Sequence, residues 1–185
     1  LERNDYYGLR VDDEEISLNV PDAKEVFAVY ESTGSGAPTL DTLGFVNGLK
    51  LDTTTVVGEL VRGTVSGAIA KIVSAPTEAT VRVIYLSQAQ FEIGERVVFE
   101  ESSIQTNLQQ IIAGNYIDQT SSYTLDKGQR EQFYDYSRLV RKKGKAAPSR
   151  QLLVIFDRFA VPANDKGDFY TANSYDEQSF GKGMP

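Results

Sequence analysis

Apolar runs in this chain are short, and this restricts its hydrophobic elements to the size of strands. The longest run, residues 152–156, has the length of a single β-strand. No run approaches the roughly 18 residues that a membrane-crossing helix needs. Hydrophobic residues make up 41% of the chain and charged residues 24%, a balance typical of folded globular proteins. We therefore expect a folded, mainly β protein.

Residues 53–103 differ in texture from the rest of the chain. They contain few aromatic residues, many Val and Ile residues, and regular turn signals. Because this composition and these turn signals are confined to the segment, we predict that residues 53–103 form an inserted small β-barrel-like subdomain. The apolar strands outside it need a partner sheet, so residues 1–52 together with 104–185 are predicted to form a β-sandwich-like lobe. Four strands are predicted inside the insert: 55–61, 68–74, 80–86 and 95–100.

A weak internal repeat, called the echo below, lies within the insert, where residues 57–61 resemble residues 93–97. In each segment a glycine comes before a strand and supplies a turn or a bulge. A glutamate follows the glycine, and we expect it to face solvent. Two equivalent turns of a small barrel account for the echo better than paired ligand sites do.

Strands are also predicted outside the insert. Residues 16–20 alternate between apolar and polar, and residues 26–30 are apolar, β-branched and aromatic. The strongest predicted strand runs from Arg150 to Val161, and its apolar centre is expected to pair as a hairpin with Leu139 and Val140.

Two segments show helical features. Leu108, Ile111 and Ile112 have helical spacing, although an extended linker fits the same residues. Residues 123–136 could form one or two helical turns, with Asp126 as the cap.

The chain has no cysteine and no histidine. Thiolate nucleophiles, disulfides, Cys-based zinc sites, Ser-His-Asp triads and imidazole bases are therefore excluded. No glycine-rich phosphate-binding loop occurs either. With few mechanisms left, we expect no enzymatic activity and no cofactor. The net charge of −7 disfavours nucleic acid binding, and the basic run 138–150 is best explained as a solvated strand pair and turn.

Three groups of residues could still carry chemistry, and each has a simpler explanation. A calcium site could use the acidic residues Asp157, Asp165, Asp168, Asp176 and Glu177, but these lack the usual calcium-loop spacing. A carboxylate glycosidase could use a pair such as Asp135 and Asp157. Sugar stacking could use Tyr123, Phe133, Tyr134 and Tyr136, which are more simply explained as packing residues.

A recurring motif runs from Leu125 to Leu139, with the pattern LDxGQRxxFYDxxRL. It resembles a stretch of the large virion structural proteins of marine contractile-tailed phages, notably cyanophages. Further similar stretches follow this motif: 147–150, 152–154, 156–157, 167–169 and 174–176. Weaker similarity covers 20–22, 26–32 and 61–68. The resemblance touches most of the chain, but only 123–176 is specific.

This resemblance implies a module of a phage tail or baseplate protein, located in the virion, with no catalytic residues to transfer. The implied partners are other virion tail proteins or neighbouring modules of the same chain, without nucleic acid or membrane. The loops 32–42 and 162–176 are candidate contact sites for these partners or for a host surface glycan. The two ends of the sequence suggest an excised module, which we expect to be folded but weakly self-associating.

Overall fold

The computed structural model describes residues 10–131 and 135–159, and this part of the chain is mainly β. The elements follow in this order: β1 (Glu15–Ser17), β2 (Ala23–Ser32), β3 (Asp41–Gly44), α1 (Leu51–Thr54), β4 (Leu60–Gly63), β5 (Ile69–Ile72), β6 (Thr80–Tyr85), β7 (Arg96–Phe99), β8 (Gln105–Asn107), β9 (Gln110–Ile112), β10 (Tyr116–Asp118), a 3-10 turn (Thr120–Ser122), β11 (Tyr123–Asp126), β12 (Arg138–Arg141) and β13 (Leu152–Arg158). Within these residues, no helix has the length and apolar character needed to cross a membrane.

Seven strands form one antiparallel sheet in the order β8-β7-β4-β5-β6-β3-β9. Its two edge strands are neighbours in the sequence, with only Leu108 and Gln109 between them. One short segment therefore pairs with β7 through its first half and with β3 through its second half. The sheet must curl until its edges meet there, which gives the barrel-like subdomain expected from the sequence.

The barrel sheet is wider than the segment that first suggested it. Its strands run from Asp41 to Ile112, so it includes residues on both sides of 53–103. A division of the chain into domains at those bounds stays a prediction. The barrel interior is apolar, and it contains Leu43, Phe45, Leu51, Val61, Ala68, Ala70, Ile72, Val81, Val83, Phe91, Val97, Phe99 and Leu108.

Two hairpins of the barrel, β4–β5 and β7–β8, repeat each other. Gly58 and Gly94 precede them with φ angles of 102° and 91°, which glycine adopts readily. The Gly58 amide donates to the Ile72 carbonyl at 2.8 Å, and the Gly94 amide donates to the Leu108 carbonyl at 2.7 Å. The echo in the sequence thus marks two equivalent turns of the barrel, as predicted.

The glutamates of this repeat are buried, which corrects the expectation that they face solvent. Glu59 is 0% exposed and Glu95 is 5% exposed. Glu59 Oε1 accepts hydrogen bonds from the Ser102 amide at 2.6 Å and the Ser102 hydroxyl at 2.8 Å. Glu95 accepts the matching bonds from the Ser66 amide at 3.1 Å and the Ser66 hydroxyl at 2.8 Å. A buried carboxylate is tolerated here because backbone and hydroxyl donors surround it.

A second sheet has the order β10-β2-β13, and both of its faces are covered. On one face Val29 packs with Leu139 of a third sheet, β1-β12-β11. On the other face Ala28 packs against Ile84 of the barrel. The central and outer sheets therefore form the expected sandwich-like lobe, with the barrel against its other side. Residues 152–156 form an uninterrupted apolar run because a strand in this layer has both faces covered, and all five side chains are half-buried.

The hairpin predicted between Leu139-Val140 and 152–156 is wrong. Strand β12 pairs with β1 and β11 in the outer sheet, whereas β13 pairs with β2 in the central sheet. The connection between β12 and β13 crosses from one sheet to the other. An apolar strand gains more from burying both faces than from pairing with its neighbour in sequence.

Both helical predictions are wrong within the described residues. Gln110–Ile112 is strand β9, so the extended alternative for this segment was the right one. Tyr123–Asp126 is strand β11, and Asp126 accepts hydrogen bonds from the Gly128 amide and the Arg130 guanidinium instead of capping a helix. In both places strand pairing overrides the local spacing of apolar residues.

The remaining strand predictions hold to different extents. The predicted strand 55–61 is wrong in its first half, because the chain turns at Gly58 and β4 begins only at Leu60. The predicted strand 16–20 is shorter than expected, since β1 ends at Ser17. The predictions for 26–30, 68–74, 80–86 and 95–100 are confirmed by β2, β5, β6 and β7.

Candidate functional site

A groove of about 460 Å³ lies where the barrel meets the central sheet. On the outer surface of the barrel, Arg82, Thr42 and Ile112 form a row across β6, β3 and β9, where they are cross-strand partners. The groove is also bordered by residues 38–40 and by Leu153 of β13. The second half of the predicted recognition loop 32–42 therefore lies at this groove, whereas the loop 162–176 lies outside the described residues.

The groove combines an aliphatic lining with polar groups that have no partner among the described residues. Leu40, Leu153 and Ile112 supply the apolar surface, and Ile112 is 51% exposed. Arg82 is exposed and forms no ion pair within residues 10–131 and 135–159. The Ser74 hydroxyl is buried at the groove without a hydrogen-bond partner among the described residues. This surface is chemically suited to a partner that brings an apolar side chain and an acceptor group.

Asp41 fixes the segment that borders the groove. Its Oδ1 accepts a hydrogen bond from the Gly114 amide at 2.9 Å, and its Oδ2 accepts one from the Tyr116 hydroxyl. The Tyr116 ring stacks on Tyr30 of the central sheet, with ring centres 3.9 Å apart. Burial raises the pKa of Tyr30 to about 12 and also raises the pKa of Tyr116. Both phenols therefore remain protonated at neutral pH, and Tyr116 remains a hydrogen-bond donor.

Glu31 is a further buried carboxylate that holds the backbone. Its Oε1 accepts hydrogen bonds from the amides of Ser149 and Arg150 at 2.8 and 3.2 Å, and its Oε2 accepts one from the Gln119 side chain at 2.9 Å. Burial alone would raise the pKa of Glu31, but these hydrogen bonds outweigh it and the pKa is lowered. Glu31 thus attaches the connection between β12 and β13 to the central sheet.

The structure places the two carboxylates proposed for a glycosidase in different surroundings. Asp135 pairs with Arg138 of the outer sheet. Asp157 lies on the central sheet, where its Oδ2 is 3.0 Å from the Lys71 ammonium of the barrel. The two carboxylates therefore lie in separate ion pairs, and Arg138 also pairs with Glu15.

The other candidate residues are only partly described. Tyr123 is buried and Tyr136 is exposed, whereas Phe133 and Tyr134 lie outside the described residues. Of the acidic group proposed for calcium, only Asp157 is described. Within the described part of the chain, no three acidic side chains are arranged to hold a metal ion.

The basic run 138–150 is engaged in structural contacts. Arg138 pairs with Glu15 at 2.8 Å, and Arg141 donates to the carbonyls of Asp12 and Asp13 at 3.1 and 3.2 Å. These contacts agree with a strand and a turn, and Arg141, Lys142, Lys143 and Lys145 also line a shallow cavity beside Glu14.

Sequence reasoning missed the groove residues Arg82, Ser74 and Ile112. The alternation in 80–86 does place Arg82 on the outer face of its strand, but nothing local shows that this face borders another sheet. Comparison with known proteins does not indicate a family: no family model, no curated protein and no solved structure matches the chain.

Proposed function

We propose that this chain is a non-enzymatic structural module of a phage virion tail or baseplate protein, and that it mediates assembly contacts. The observation that carries the proposal is the use of the buried carboxylates. Each of Glu31, Asp41, Glu59 and Glu95 accepts hydrogen bonds from backbone amides of the same fold. Carboxylates committed in this way hold turns and junctions together. A general acid or a nucleophile would instead need a free oxygen facing a substrate.

The groove supports assembly contacts in preference to glycan adhesion. Its apolar lining is aliphatic, from Leu40, Ile112 and Leu153, and no aromatic side chain of the described part of the chain lines it. A flat aromatic surface is what a sugar ring would pack against. Exposed Ile112 and exposed Arg82 flank Thr42 in one row, which is instead typical of a protein contact with an apolar anchor and a charged rim.

Adhesion to a host glycan remains the second candidate, because the Thr39 and Thr42 side chains and the Arg82 guanidinium all border the groove. These groups could bind sugar hydroxyls. A carboxylate glycosidase is the third candidate, and it receives less support because Asp135 and Asp157 lie in separate ion pairs.

Hydrogen–deuterium exchange tests the assembly function. The module alone is compared with a longer chain that contains the neighbouring modules of its parent reading frame. We expect added protection at residues 38–42 and 110–113 in the longer chain, and loss of that protection in Ile112→Glu. Ile93→Glu is the matched control, because Ile93 is 68% exposed on a turn outside the groove.

Two further assays separate the alternatives. Binding to a glycan array that is lost in Arg82→Ala and unaffected by neighbouring modules would replace assembly with adhesion. Steady release of reducing ends from host polysaccharide, abolished by Asp157→Asn or Asp135→Asn, would overturn the non-enzymatic assignment.

A further inference from the structure

Strand β13 is an open edge of the central sheet within the described part of the chain. It pairs with β2 on one side, and no described strand lies on its other side. Its sequence begins with five apolar residues and contains none of the lysines or prolines that often protect an edge strand. The opposite edge of the same sheet, β10, has only three residues. A long apolar edge of this kind is a template for one more strand.

The backbone groups of alternate β13 residues point to this open edge. The Gln151 carbonyl accepts a hydrogen bond from the Ser32 amide at 2.9 Å, and the Phe159 amide donates one to the Asp22 carbonyl at 3.3 Å. Between these two contacts the register shifts insert extra residues into β2 and none into β13. Odd-numbered residues of β13 therefore face β2, since backbone direction alternates along a strand. The amides and carbonyls that point away from β2 belong to Leu152, Val154, Phe156 and Arg158.

The side chains of β13 are less buried than those of the strand beside it. Its apolar residues are all half-buried, whereas their partners Ala28, Val29 and Tyr30 on β2 are at most 4% exposed. Both strands pack against the barrel on one face and the outer sheet on the other. The two strands differ in that β2 has a strand on each side. A strand on the open side of β13 would complete the burial of its apolar side chains.

The sequence after β13 contains a turn signal followed by a segment of strand length. Asn164 and Gly167 stand first and last in Asn-Asp-Lys-Gly, an order that type I turns favour. Residues 168–175 follow without glycine or proline, and half of them are aromatic or β-branched. Fully extended, these residues span about 26 Å, and β13 spans about 23 Å. A chain that reverses at this turn is therefore long enough to run back along the whole of β13.

We propose that residues 168–175 dock on the open edge of β13 as an antiparallel fourth strand of the central sheet. A hairpin is the short connection that joins antiparallel neighbours. Alternate backbone groups of the docked strand pair with the outward amides and carbonyls of β13, and its aromatic side chains cover the half-buried ones. The proposal assigns most of the second half of the candidate contact loop 162–176 to the sheet. It does not depend on the proposed assembly function, because it does not use the groove.

Amide hydrogen exchange of the full chain, measured for each residue by NMR, tests this proposal. Pairing with β2 alone protects the amides of Leu153 and Ile155 and leaves those of Leu152, Val154 and Phe156 to exchange with solvent. With a docked strand, we expect all five amides to exchange at least about 100-fold more slowly than in an unfolded chain. Contacts between the Hα protons of β13 and residues 168–175 in the same spectra give the register.

A proline in the segment tests which residues cover the edge. Thr171→Pro removes an amide from the middle of the docked strand, and proline is not accommodated within a paired strand. The amides of Leu152, Val154 and Phe156 should then exchange at least about tenfold faster. Those of Leu153 and Ile155 should keep their protection, which shows that the fold persists. Lys182→Pro, beyond the segment, is the matched control and should leave both sets unchanged.

Three results would overturn the proposal. Rapid exchange at Leu152, Val154 and Phe156 in the parent chain would leave the edge open to a strand from a neighbouring module. Protection that is unchanged in Thr171→Pro would show that a different segment covers the edge. Protection that disappears on dilution, together with a dimer in sedimentation, would assign the edge to a second copy of the chain.

Discussion

The Glu59 carboxylate binds the turn of the β7–β8 hairpin, and the Glu95 carboxylate binds the turn of the β4–β5 hairpin. Each residue stands just before a strand, β4 or β7, and its carboxylate binds the turn that follows the other strand. The two strands pair antiparallel with Arg62 opposite Val98, so a local twofold relation connects the two carboxylates. The arrangement is reciprocal, and the loss of either carboxylate loosens one turn of the barrel.

Replacement of either glutamate by glutamine should destabilise the fold. Glu95 Oε1 accepts from the Ser66 hydroxyl and the Glu92 amide, while Oε2 accepts from the amides of Val65 and Ser66. An amide nitrogen in either position leaves backbone donors unpaired, at a cost of about 2–3 kcal/mol. Urea denaturation of Glu95→Gln and Glu59→Gln measures this cost. Glu92→Gln in the same turn, at an exposed side chain, should change stability by less than about 0.5 kcal/mol.

Acid should destabilise the fold by protonating hydrogen-bonded carboxylates such as Glu95 and Glu31. Burial alone would raise the pKa of Glu95, but hydrogen bonds from the Glu92 and Ser66 amides outweigh it and lower the pKa below its ordinary 4.5. The pKa of Glu31 is also lowered. A lowered pKa in the folded state contributes stability above the unfolded pKa, and that stability is lost as pH falls.

We therefore expect a urea midpoint that is constant between pH 7 and about 5.5 and that falls below about pH 4.5. Glu95→Gln lacks one of these carboxylates, so its midpoint should fall less steeply. A midpoint that rises on acidification would contradict the assignment of Glu31 and Glu95 as ionised hydrogen-bond acceptors.

Sequence reasoning found the mainly β class, the barrel texture and the repeated turns, because these depend on local patterns. The turn glycines Gly58 and Gly94 are one example, since positive φ is a local requirement. Sequence reasoning wrongly placed Glu59 and Glu95 in solvent, because a charged residue at a turn normally faces water. Only the folded barrel brings backbone donors around these carboxylates. Sequence reasoning also failed for the pairing of β13, because an apolar strand can pair with any strand that lets it bury both faces.

The candidate groove was only half predictable. The loop 32–42 was identified from its polar, glycine-rich composition, and its second half does border the groove. Arg82 and Ile112 could not be found in the same way. They are 30 positions apart on strands that both pair with β3, and only the register of β3 places them in one row.

The contact between Lys71 and Asp157 should help to orient the barrel on the central sheet. The two charged atoms are 3.0 Å apart, and the Lys71 ammonium also lies 4.0 Å from the centre of the Phe27 ring. The Lys71 side chain is only 17% exposed and the Asp157 side chain is 45% exposed, so this pair is screened less than a pair in which both partners are exposed. A double-mutant cycle with Lys71→Met and Asp157→Asn should give a coupling energy of about 1 kcal/mol.

The surface pair Arg62–Glu100 serves as the comparison. Its atoms are also 3.0 Å apart, but both side chains are more than one third exposed. A cycle with Arg62→Met and Glu100→Gln should give a coupling energy of about 0.3 kcal/mol or less. Equal coupling in the two cycles would show that the contact between Lys71 and Asp157 is an ordinary surface interaction.

Gly63 should not tolerate alanine. A Cβ atom there would lie 2.5 Å from the Ser66 hydroxyl and 2.6 Å from Glu95 Oε2, in the centre of one carboxylate-held turn. Relief of this overlap requires the turn and the carboxylate to move apart, at a cost of about 2–3 kcal/mol. Gly36→Ala is the control, since a Cβ there meets nothing within 4 Å. Thermal unfolding should show a clearly lower midpoint for Gly63→Ala and a change near zero for Gly36→Ala.

The hydrogen bond from Tyr116 to Asp41 should limit stability at high pH. Burial raises the pKa of Tyr116, and it raises the pKa of Tyr30 to about 12. A raised pKa in the folded state contributes stability that is complete below the ordinary tyrosine pKa of 10.0 and is lost as pH rises toward 12. We expect the urea midpoint to begin falling at about pH 10 for this reason.

Tyr116→Phe tests the same contact at neutral pH. It removes one donor from a buried carboxylate while Gly114 remains hydrogen bonded to Asp41, so we expect a loss of about 1–2 kcal/mol. It also removes one late-ionising phenol, so the tyrosinate absorbance that appears last in an alkaline titration should decrease. Tyr136→Phe, at an exposed ring, is the matched control and should leave the midpoint at pH 7 unchanged. Equal stability of Tyr116→Phe and the parent at pH 7 would show that this hydrogen bond does not hold the segment at the groove.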